Sequence, residues 1–382
     1  MEKLEGADSN QEDCKFYKDI KDENGVKLDT NRSETLAQNF QDLPDEIILK
    51  VLSYSEPKDL ISSRQVSKRL RKISHDNSLW QNIHLFGKVV KAKFLELILD
   101  KGCKNLNLSN SIILGKLRLG QKSQLRALHL SDWVFKRAGM HINVLEEILA
   151  SCHSLQVLEM PESQITPRIA ASICQNGKTL QTLDLNDSSG DQSAFMQIIK
   201  CCQELKEVNL ADVMNNNCED DLSDDCLEFL AKHLCPNIEI LDISALRFVD
   251  NHFKILLSRC NKIKELILRS VEVTNNSLTI IQENLSLTLE KLSLDYSDEL
   301  SLISFLELKS MPKLKFIFFE DEEDGEDEDR DEAIENLRKQ LPHLRINVGF
   351  LSSKMVVDDE NAYLRDTNVD FKPFISCSDS TV

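Results

Sequence analysis

The sequence predicts an α/β protein in which a short three-helix unit precedes a curved solenoid of strand–helix repeats. The repeats are predicted by the pattern L-x-x-L-x-L, which recurs eight times, with Ile, Val, Met or Phe at some of its apolar positions. Helical patterns lie between the copies, as in INVLEEILASC, FMQIIKCC and FKILLSRC. Before the first copy, the apolar residues of LPDEIILKVL have the spacing of a helix, and no strand pattern accompanies them.

The repeat pattern determines the expected architecture of the solenoid. Its copies begin at Leu125, Leu155, Leu180, Leu205, Ile238, Ile263, Leu289 and Leu314. Most steps fall within the roughly 20–29 residues of a leucine-rich repeat. A degenerate first copy is KNLNLSNS, and a truncated last copy is LRINV. Because one strand–helix unit cannot bury its own apolar face, the units must stack, with parallel strands on the concave side and helices on the convex side.

The composition divides the chain into four segments. Residues 1–38 are polar and cannot bury enough apolar surface to offset the entropy of ordering, so we expect a disordered arm. The three-helix unit is predicted at 39–85, the solenoid at 86–350 and a C-terminal tail at 351–382. Within the solenoid, the acidic insert Glu320–Glu332 holds 11 acids and one Arg, and such a block is expected to be disordered. It can act as a solubilising loop or attract a basic partner.

Net charge and hydropathy exclude several function classes. A formal charge of -18 argues against nucleic-acid binding, which requires a basic surface. The sequence does not begin with the basic residues and apolar core of a secretion signal. No apolar run approaches the roughly 20 residues that span a bilayer. We therefore expect an intracellular protein of the nucleus and cytoplasm, without membrane contact, whose 11 cysteines are mostly reduced thiols.

Residues with catalytic or metal-binding chemistry form no recognisable motif. Cys152, Cys202, Cys235 and Cys260 each stand three residues before a copy of the repeat pattern. Zinc needs ligands that converge on one point, whereas cysteines about one repeat apart form a ladder, so we expect them to pack at the corner between helix and strand. There is no Gly-rich phosphate loop, no G-x-S-x-G and no HExxH. The sequence therefore predicts a non-catalytic protein with no cofactor and no metal site.

Three short helices are predicted in the first unit. Pro44 suits the first turn of one helix, and Pro57 opens the second. The third is predicted in VSKRLRKIS, with Val66, Leu70 and Ile73 on one face. About 40 residues without a cysteine make a poor free-standing domain, so the unit is expected to need a protein partner. The alternative is a helical cap that shields the first repeat.

The first unit resembles the F-box motif over nearly its full length, from LPDEIILKVL to the closing SLW. An F-box followed by leucine-rich repeats is typical of one class of substrate receptors in SCF ubiquitin ligases. Similar segments in the S-phase kinase-associated members of that class are SLWQNIHLFGK, LNLSNSII and LPHLRIN. The resemblance implies that the F-box binds the SCF adaptor and, through it, the cullin. Leu70 and Ser55 depart from the motif, which often has Trp and Leu at these positions.

The resemblance and the apolar pattern together indicate the adaptor-binding residues. They are Leu43, Pro44, Ile47, Ile48, Val51, Leu52, Leu60, Val66, Leu70 and Trp80. The first helix has apolar residues on more than one side. One side is therefore expected to face its own chain and the other the adaptor.

The concave surface is the candidate substrate site. Because side chains alternate along a strand, the residues between the Leu positions are expected to face this surface. They are Asp184, Asn186, Glu207, Asn209, Asp242, Ser244, Glu265, Arg269, Lys291, Ser293 and Asp295, and the resemblance adds Tyr296. The set is polar and mainly acidic, which suits either a peptide-binding surface or a merely solvated face.

The resemblance also bears on the target. It implies phosphorylated cell-cycle inhibitors, bound with a cyclin-kinase accessory subunit and marked for proteasomal degradation. Asp212 and Tyr296 stand where the S-phase kinase-associated members have Trp and Arg, so the identity of the target does not follow. The rival hypothesis is a non-ligase acidic leucine-rich-repeat scaffold that binds histones through its acidic insert.

Overall fold

A computed structural model describes residues 40–119, 123–131, 140–214, 222–295, 300, 302–320 and 328–349. The predicted arm, the predicted tail and Tyr296 lie outside these residues. The chain forms two compact units, Met1–Tyr54 and Ser55–Val382. The boundary between them falls within the predicted three-helix unit, after its first helix.

The first compact unit contains helix α1 (Asp45–Leu52), preceded by a 3-10 turn at Phe40–Asp42. Pro44 has an extended backbone and precedes the helix, which therefore begins one residue later than predicted. Its carbonyl accepts the backbone N–H groups of Ile47 and Ile48, both at 3.1 Å. Acidic residues follow at the positive start of the helix, and Lys50 lies in its last turn.

The second compact unit begins with helices α2 (Pro57–Val66) and α3 (Lys68–Ile73). The prediction of one helix from Val66 to Ile73 is wrong, because Val66 ends α2. Ser67 is extended, and its hydroxyl accepts the N–H of Leu70 at 3.1 Å, which caps a new helix. A 3-10 turn at Asn77–Trp80 closes this region.

The solenoid is built on one sheet of eleven parallel strands that pair in chain order. They are β1 (Asn82–His84), β3 (Asn105–Asn107), β5 (Ala127–His129), β6 (Val157–Glu159), β8 (Thr182–Asp184), β10 (Glu207–Asn209), β11 (Ile240–Asp242), β12 (Glu265–Leu268), β13 (Lys291–Asp295), β14 (Phe316–Glu320) and β15 (Arg345–Gly349). The eight predicted strands and both incomplete copies are confirmed. Strand β1 was not predicted, because Ile83 is its one apolar residue.

Two short parallel ribbons lie outside the main sheet. Strand β2 (Val89–Lys91) pairs with β4 (Ile112–Leu114), and β7 (Gln164–Ile165) pairs with β9 (Ser189–Gly190). Each ribbon joins equivalent segments of neighbouring repeats. Stacking of the repeats therefore continues beyond the strands of the main sheet.

The predicted helices between the strands are present. They are α4 (Ala92–Asp100), α5 (Met140–Ser151), α6 (Pro167–Gln175), α7 (Gln192–Cys201), α8 (Asp224–His233), α9 (Asp250–Arg259), α10 (Asn275–Leu285), α11 (Leu302–Glu307) and α12 (Glu328–Gln340). Side-chain oxygens of Thr166, Asp191, Ser223 and Thr274 accept backbone N–H groups at four of their starts. The fold class predicted from the repeat pattern is thus confirmed.

The acidic insert does not form one irregular block. Glu320 ends β14, and α12 begins at Glu328, so the expectation of disorder is wrong at both ends of Glu320–Glu332. Acidic residues at a helix start are favourable because they face the positive end of the helix dipole. Residues 321–327 lie outside the described residues.

The core lies between the strands and the helices. The central apolar residue of each strand is buried, as for Leu158, Leu183 and Leu241. Cys152, Cys202, Cys235 and Cys260 are buried free thiols at the corner between helix and strand, as expected. Burial raises the pKa of Cys202 to about 12 and that of Cys152 to about 11. The thiols are therefore protonated packing groups at neutral pH.

A left-handed turn recurs after the strands. It is occupied by Asn110, Glu162, Asp187, Asp212, Ala245 and Ser270, with φ between 51° and 58°. The backbone N–H of the turn residue bonds to the next repeat, as from Asp187 to the carbonyl of Ala211 at 2.8 Å. The turn thus adds a regular bond between neighbouring repeats.

Among the described residues, no helix combines the length and the apolar composition needed to span a membrane.

Candidate protein-binding surfaces

Helix α1 exposes an apolar stripe, the α1 stripe, formed by Ile47, Val51 and Tyr54. Their exposed fractions are 48%, 47% and 78%. The spacing of four and then three residues places them on one side of a helix that continues into the turn at Tyr54. The ammonium of Lys50 lies 5.0 Å from the centre of the Tyr54 ring. Tyr54 was not predicted, although its position seven residues after Ile47 was a signal.

The structure corrects four of the predicted adaptor-binding residues. Ile48, Leu52, Leu60 and Trp80 are buried and cannot contact a partner in this conformation. Both members of the apolar pairs Ile47/Ile48 and Val51/Leu52 were predicted to contact the adaptor. Adjacent residues of a helix point about 100° apart, so the two members of a pair face different surroundings. One member of each pair is exposed and the other is interior.

The other predicted adaptor-binding residues are at least partly accessible. Pro44 and Val66 are exposed, whereas Leu43 and Leu70 are half-buried. Their contact with an adaptor remains a prediction.

The second surface is the strand face, the side of the main sheet that bears the residues between the buried Leu positions. Glu159, Asp184, Asn209 and Asp242 lie side by side on four consecutive strands, β6, β8, β10 and β11. Side chains of the last three are buried. Residues predicted to be solvent-exposed are therefore partly covered by their own repeats.

The side chains at this position shape the turn that follows each strand. Asp184 Oδ1 accepts the N–H of Asn186 at 2.9 Å, and Asp242 Oδ1 accepts the N–H of Ser244 at 2.9 Å. Asn209 makes the same bond to the N–H of Ala211 at 3.0 Å. Asp184, Asn209 and Asp242 are thus corrected from substrate contacts to turn-forming residues. The recurrence of Asn or Asp at this position was the signal in the sequence.

Three further predicted contacts are also buried. Ser244 donates its hydroxyl to Asp242 Oδ1 at 2.5 Å and accepts the N–H of Arg269 at 3.1 Å. Glu265 on β12 and Ser293 on β13 are almost fully covered. The alternation of side chains along a strand predicted the side of the sheet on which these three residues lie. The closely stacked strands leave their side chains almost no surface accessible to solvent.

The accessible part of the strand face carries both charges. Asn186, Glu207, Arg269, Lys291 and Asp295 are half-buried there. The structure brings Arg269 to 3.5 Å from Asp242 and Lys291 to 3.1 Å from Glu265. Predicted site residues on neighbouring strands therefore pair with one another.

One contact between side chains on the strand face was not predicted. His129 Nδ1 lies 2.6 Å from Glu159 Oε2 on the neighbouring strand. His129 occupies the same position in its repeat as Asp184 does, which was the signal available in the sequence. The contact thus links β5 and β6 through their side chains on this face.

Burial decides the protonation of the central carboxyls. It raises the pKa of Asp184 to about 8, with smaller contributions from the charges of Glu159 and Asp242, against the hydrogen bond from Asn186. Burial also raises the pKa of Asp242, and the nearby Arg269 partly offsets it. At neutral pH, Asp184 is therefore mostly protonated, and the strand face carries less negative charge than its residue count implies.

The Asp184→Asn variant is expected to be more stable than the natural protein at alkaline pH. A carboxyl with a pKa of about 8 when folded and about 4 when unfolded binds its proton more tightly in the folded state. Its contribution to stability therefore falls as pH rises from about 4 to about 8. An amide keeps the bond to Asn186, as Asn209 does, without this loss. We expect the free energy of unfolding of the variant to exceed that of the natural protein by about 1–3 kcal/mol at pH 8 and by less toward pH 5, as measured by urea unfolding.

The reverse change on the next strand, Asn209→Asp, is the control. It places a second carboxyl beside Asp184 in the same buried row and is expected to destabilise increasingly with rising pH. A difference between Asp184→Asn and the natural protein that is the same at both pH values would contradict the assignment.

Within the described parts of the chain, no three His, Cys, Asp or Glu side chains come together in a way that could hold a metal ion.

Two comparisons with known proteins bear on this chain. The family described as F-box-like matches residues 40–86, which contain α1, α2, α3 and β1. The solved structure described as "Crystal structure of TLR13-ssRNA13 complex" is similar at 20% identity, with a TM-score of 0.39. The match covers 69% of this chain and 38% of that longer chain. The F-box-like match therefore lies at the N-terminal side of the repeats, whose parallel strands define the solenoid.

Proposed function

We propose that this protein is the substrate-recognition subunit of an SCF ubiquitin ligase. The F-box-like domain would bind the adaptor and, through it, the cullin. The accessible strand face would hold a target protein for ubiquitination and proteasomal degradation. The observation that carries the proposal is the F-box-like match at 40–86 together with the exposed α1 stripe inside it.

The α1 stripe has the character of an interface core. Two aliphatic side chains on a helix of eight residues and one Tyr in the turn after it each leave about half or more of their surface in solvent. Tyr is enriched among the residues that dominate binding energy, and interface cores are depleted of charge. Burying Ile47 and Val51 against an apolar partner would contribute about 1 kcal/mol or more each, since roughly half of each side chain is still available to bury.

The receptor would act without bond chemistry of its own. It would raise the local concentration of a target near a ubiquitin-loaded enzyme held elsewhere in the complex. The mixed charges of Glu207, Arg269, Lys291 and Asp295 suit a polar protein segment. Phosphorylated cell-cycle regulators, a cyclin-kinase accessory subunit, and action in the nucleus and cytoplasm are parts of this proposal that rest on the resemblance in sequence.

The test measures the affinity of the full chain for purified SCF adaptor bound to cullin. The Ile47→Asp/Val51→Asp variant is expected to weaken binding by about 100-fold or more, which corresponds to about 2.7 kcal/mol. Both residues are exposed, so the thermal stability of the free variant should be nearly unchanged. Leu287→Asp is the matched control, because Leu287 is an exposed apolar residue outside 40–86.

Two outcomes would count against the ligase proposal. One is equal adaptor binding by the natural chain and the double variant. The other is capture from a lysate of basic proteins alone, lost when Glu320–Glu332 is deleted. The second result would favour the acidic, histone-binding scaffold instead.

A further inference from the structure

Basic side chains at the ends of two helices contact one imidazole in the second compact unit, and a third basic side chain bonds to the backbone beside it. Arg64, in the last turn of α2, places Nη2 at 2.5 Å from Nε2 and 3.0 Å from Nδ1 of His75. Lys101, which follows α4, places Nζ at 3.1 Å from the same Nδ1. Arg71 of α3 donates from Nε to the carbonyl of Arg64 at 2.9 Å. We call these four residues the basic cluster.

The imidazole of His75 has too few acceptor nitrogens for the cationic donors that contact it. A neutral imidazole has one acceptor nitrogen, and its other nitrogen carries a proton. It can accept a hydrogen bond from Arg64 or from Lys101, but not from both in full. The pKa of His75 is lowered first by a partial loss of hydration around the ring, which stays exposed, and then by the charges of Arg64, Lys101 and Arg71. The three charges that lower this pKa are all positive.

No carboxylate compensates the basic cluster within the described ranges. Arg64, Arg71 and Lys101 take part in none of the ion pairs found there. The neighbouring Asp76 is engaged by the N–H of Ser78 at 2.9 Å. In a chain with 64 acidic and 46 basic residues, such a cluster is a marked departure from the average.

Helix dipoles account for only part of this arrangement. A cation at a helix C-terminus gains about 0.3–1 kcal/mol from the partial negative charge there, and Arg64, Arg71 and Lys101 all lie at such ends. The dipoles do not require the three side chains to converge, and convergence costs repulsion. Three full charges also exceed the partial charges of the helix ends. The cluster therefore retains a positive potential suited to an anion.

We infer that the basic cluster binds a phosphate group carried by a phosphorylated serine or threonine of a partner protein. A phosphate has three acceptor oxygens and about -1.5 to -2 charges at neutral pH, enough to accept from Arg64, Lys101 and Arg71 together. A guanidinium can bind it in a bidentate manner. Arg71 and His75 are exposed and the other two are half-buried, so the site is accessible. This inference goes beyond the proposed ligase role and does not depend on it.

The experiment titrates the full chain with capped phosphoserine and follows the His75 ring signals by NMR. Saturable shifts are expected, together with a rise in the pKa of His75, because a bound anion stabilises the imidazolium. Arg64→Gln/Lys101→Gln should weaken binding by about tenfold or more, or about 1.4 kcal/mol. Lys178→Gln/Lys254→Gln removes the same charge at exposed positions elsewhere and should leave binding within about twofold of the natural protein.

Parallel titrations with capped glutamate and inorganic phosphate separate the sources. Capped glutamate that binds as tightly as capped phosphoserine would overturn the phosphate assignment in favour of a general acidic surface. Inorganic phosphate that binds as tightly would support the site but overturn a protein-borne source. Unchanged affinity in Arg64→Gln/Lys101→Gln, or no shift of His75, would overturn the inference as a whole.

Discussion

The Trp80→Ala variant is expected to lose about 3–5 kcal/mol of unfolding free energy. Trp80 is fully buried, and its indole Nε1 donates to the carbonyl of Ser74 at 2.9 Å. Truncation leaves a large cavity and removes the partner of a buried carbonyl. Because repeat arrays can unfold in parts, hydrogen exchange of β1 and β3 should be measured beside far-UV circular dichroism in urea.

Trp80→Phe separates the two contributions to this loss. Phenylalanine retains most of the apolar volume but cannot donate to Ser74, so it should lose less than the alanine variant. A loss below about 1 kcal/mol for Trp80→Ala would show that the Trp80 side chain contributes little to the fold.

The Gly190→Ala variant is expected to lose about 2–5 kcal/mol of unfolding free energy. Gly190 lies in strand β9 at φ 136°, a conformation that is almost restricted to glycine. An added Cβ would lie 2.3 Å from the carbonyl oxygen of Ile165 on the paired strand β7, closer than any real contact. The ribbon would have to open, which chemical denaturation would detect as reduced stability.

Gly87→Ala is the matched control for this prediction. Gly87 also has a positive φ, 65°, but an added Cβ would meet nothing within 4 Å. It should therefore lose only about 1–2 kcal/mol, from backbone strain alone. Equal losses at the two positions would mean that the close approach to Ile165 is relieved at little cost.

The repeating features of the fold were predictable because each is specified locally and many times. The apolar pattern placed the strands, and the position of Cys202 before its strand predicted a buried corner. Features that occur only once in the chain were harder to predict. Strand β1 has one apolar residue, so no period could mark it, and the end of α2 at Val66 depended on a cap from Ser67.

The candidate surfaces were only partly predictable for a different reason. Periodicity gives the direction of a side chain but not what covers it. Ile47 and Ile48 are adjacent and equally apolar, yet one is exposed and the other is interior. Asp184 projects as predicted but is enclosed by its own turn. The basic cluster joins Arg64, His75 and Lys101, which are far apart in sequence and form no local pattern.

The order of strands in the main sheet has a mechanical consequence. Each strand pairs only with the copies before and after it in the chain, from β1 to β15. A force that pulls β15 away from the sheet would therefore act first on its bonds to β14, its one partner there. Each repeat of about 25 residues would release roughly 80–90 Å of chain when it detaches. Pulling from this edge is thus expected to extend the solenoid in steps of one repeat.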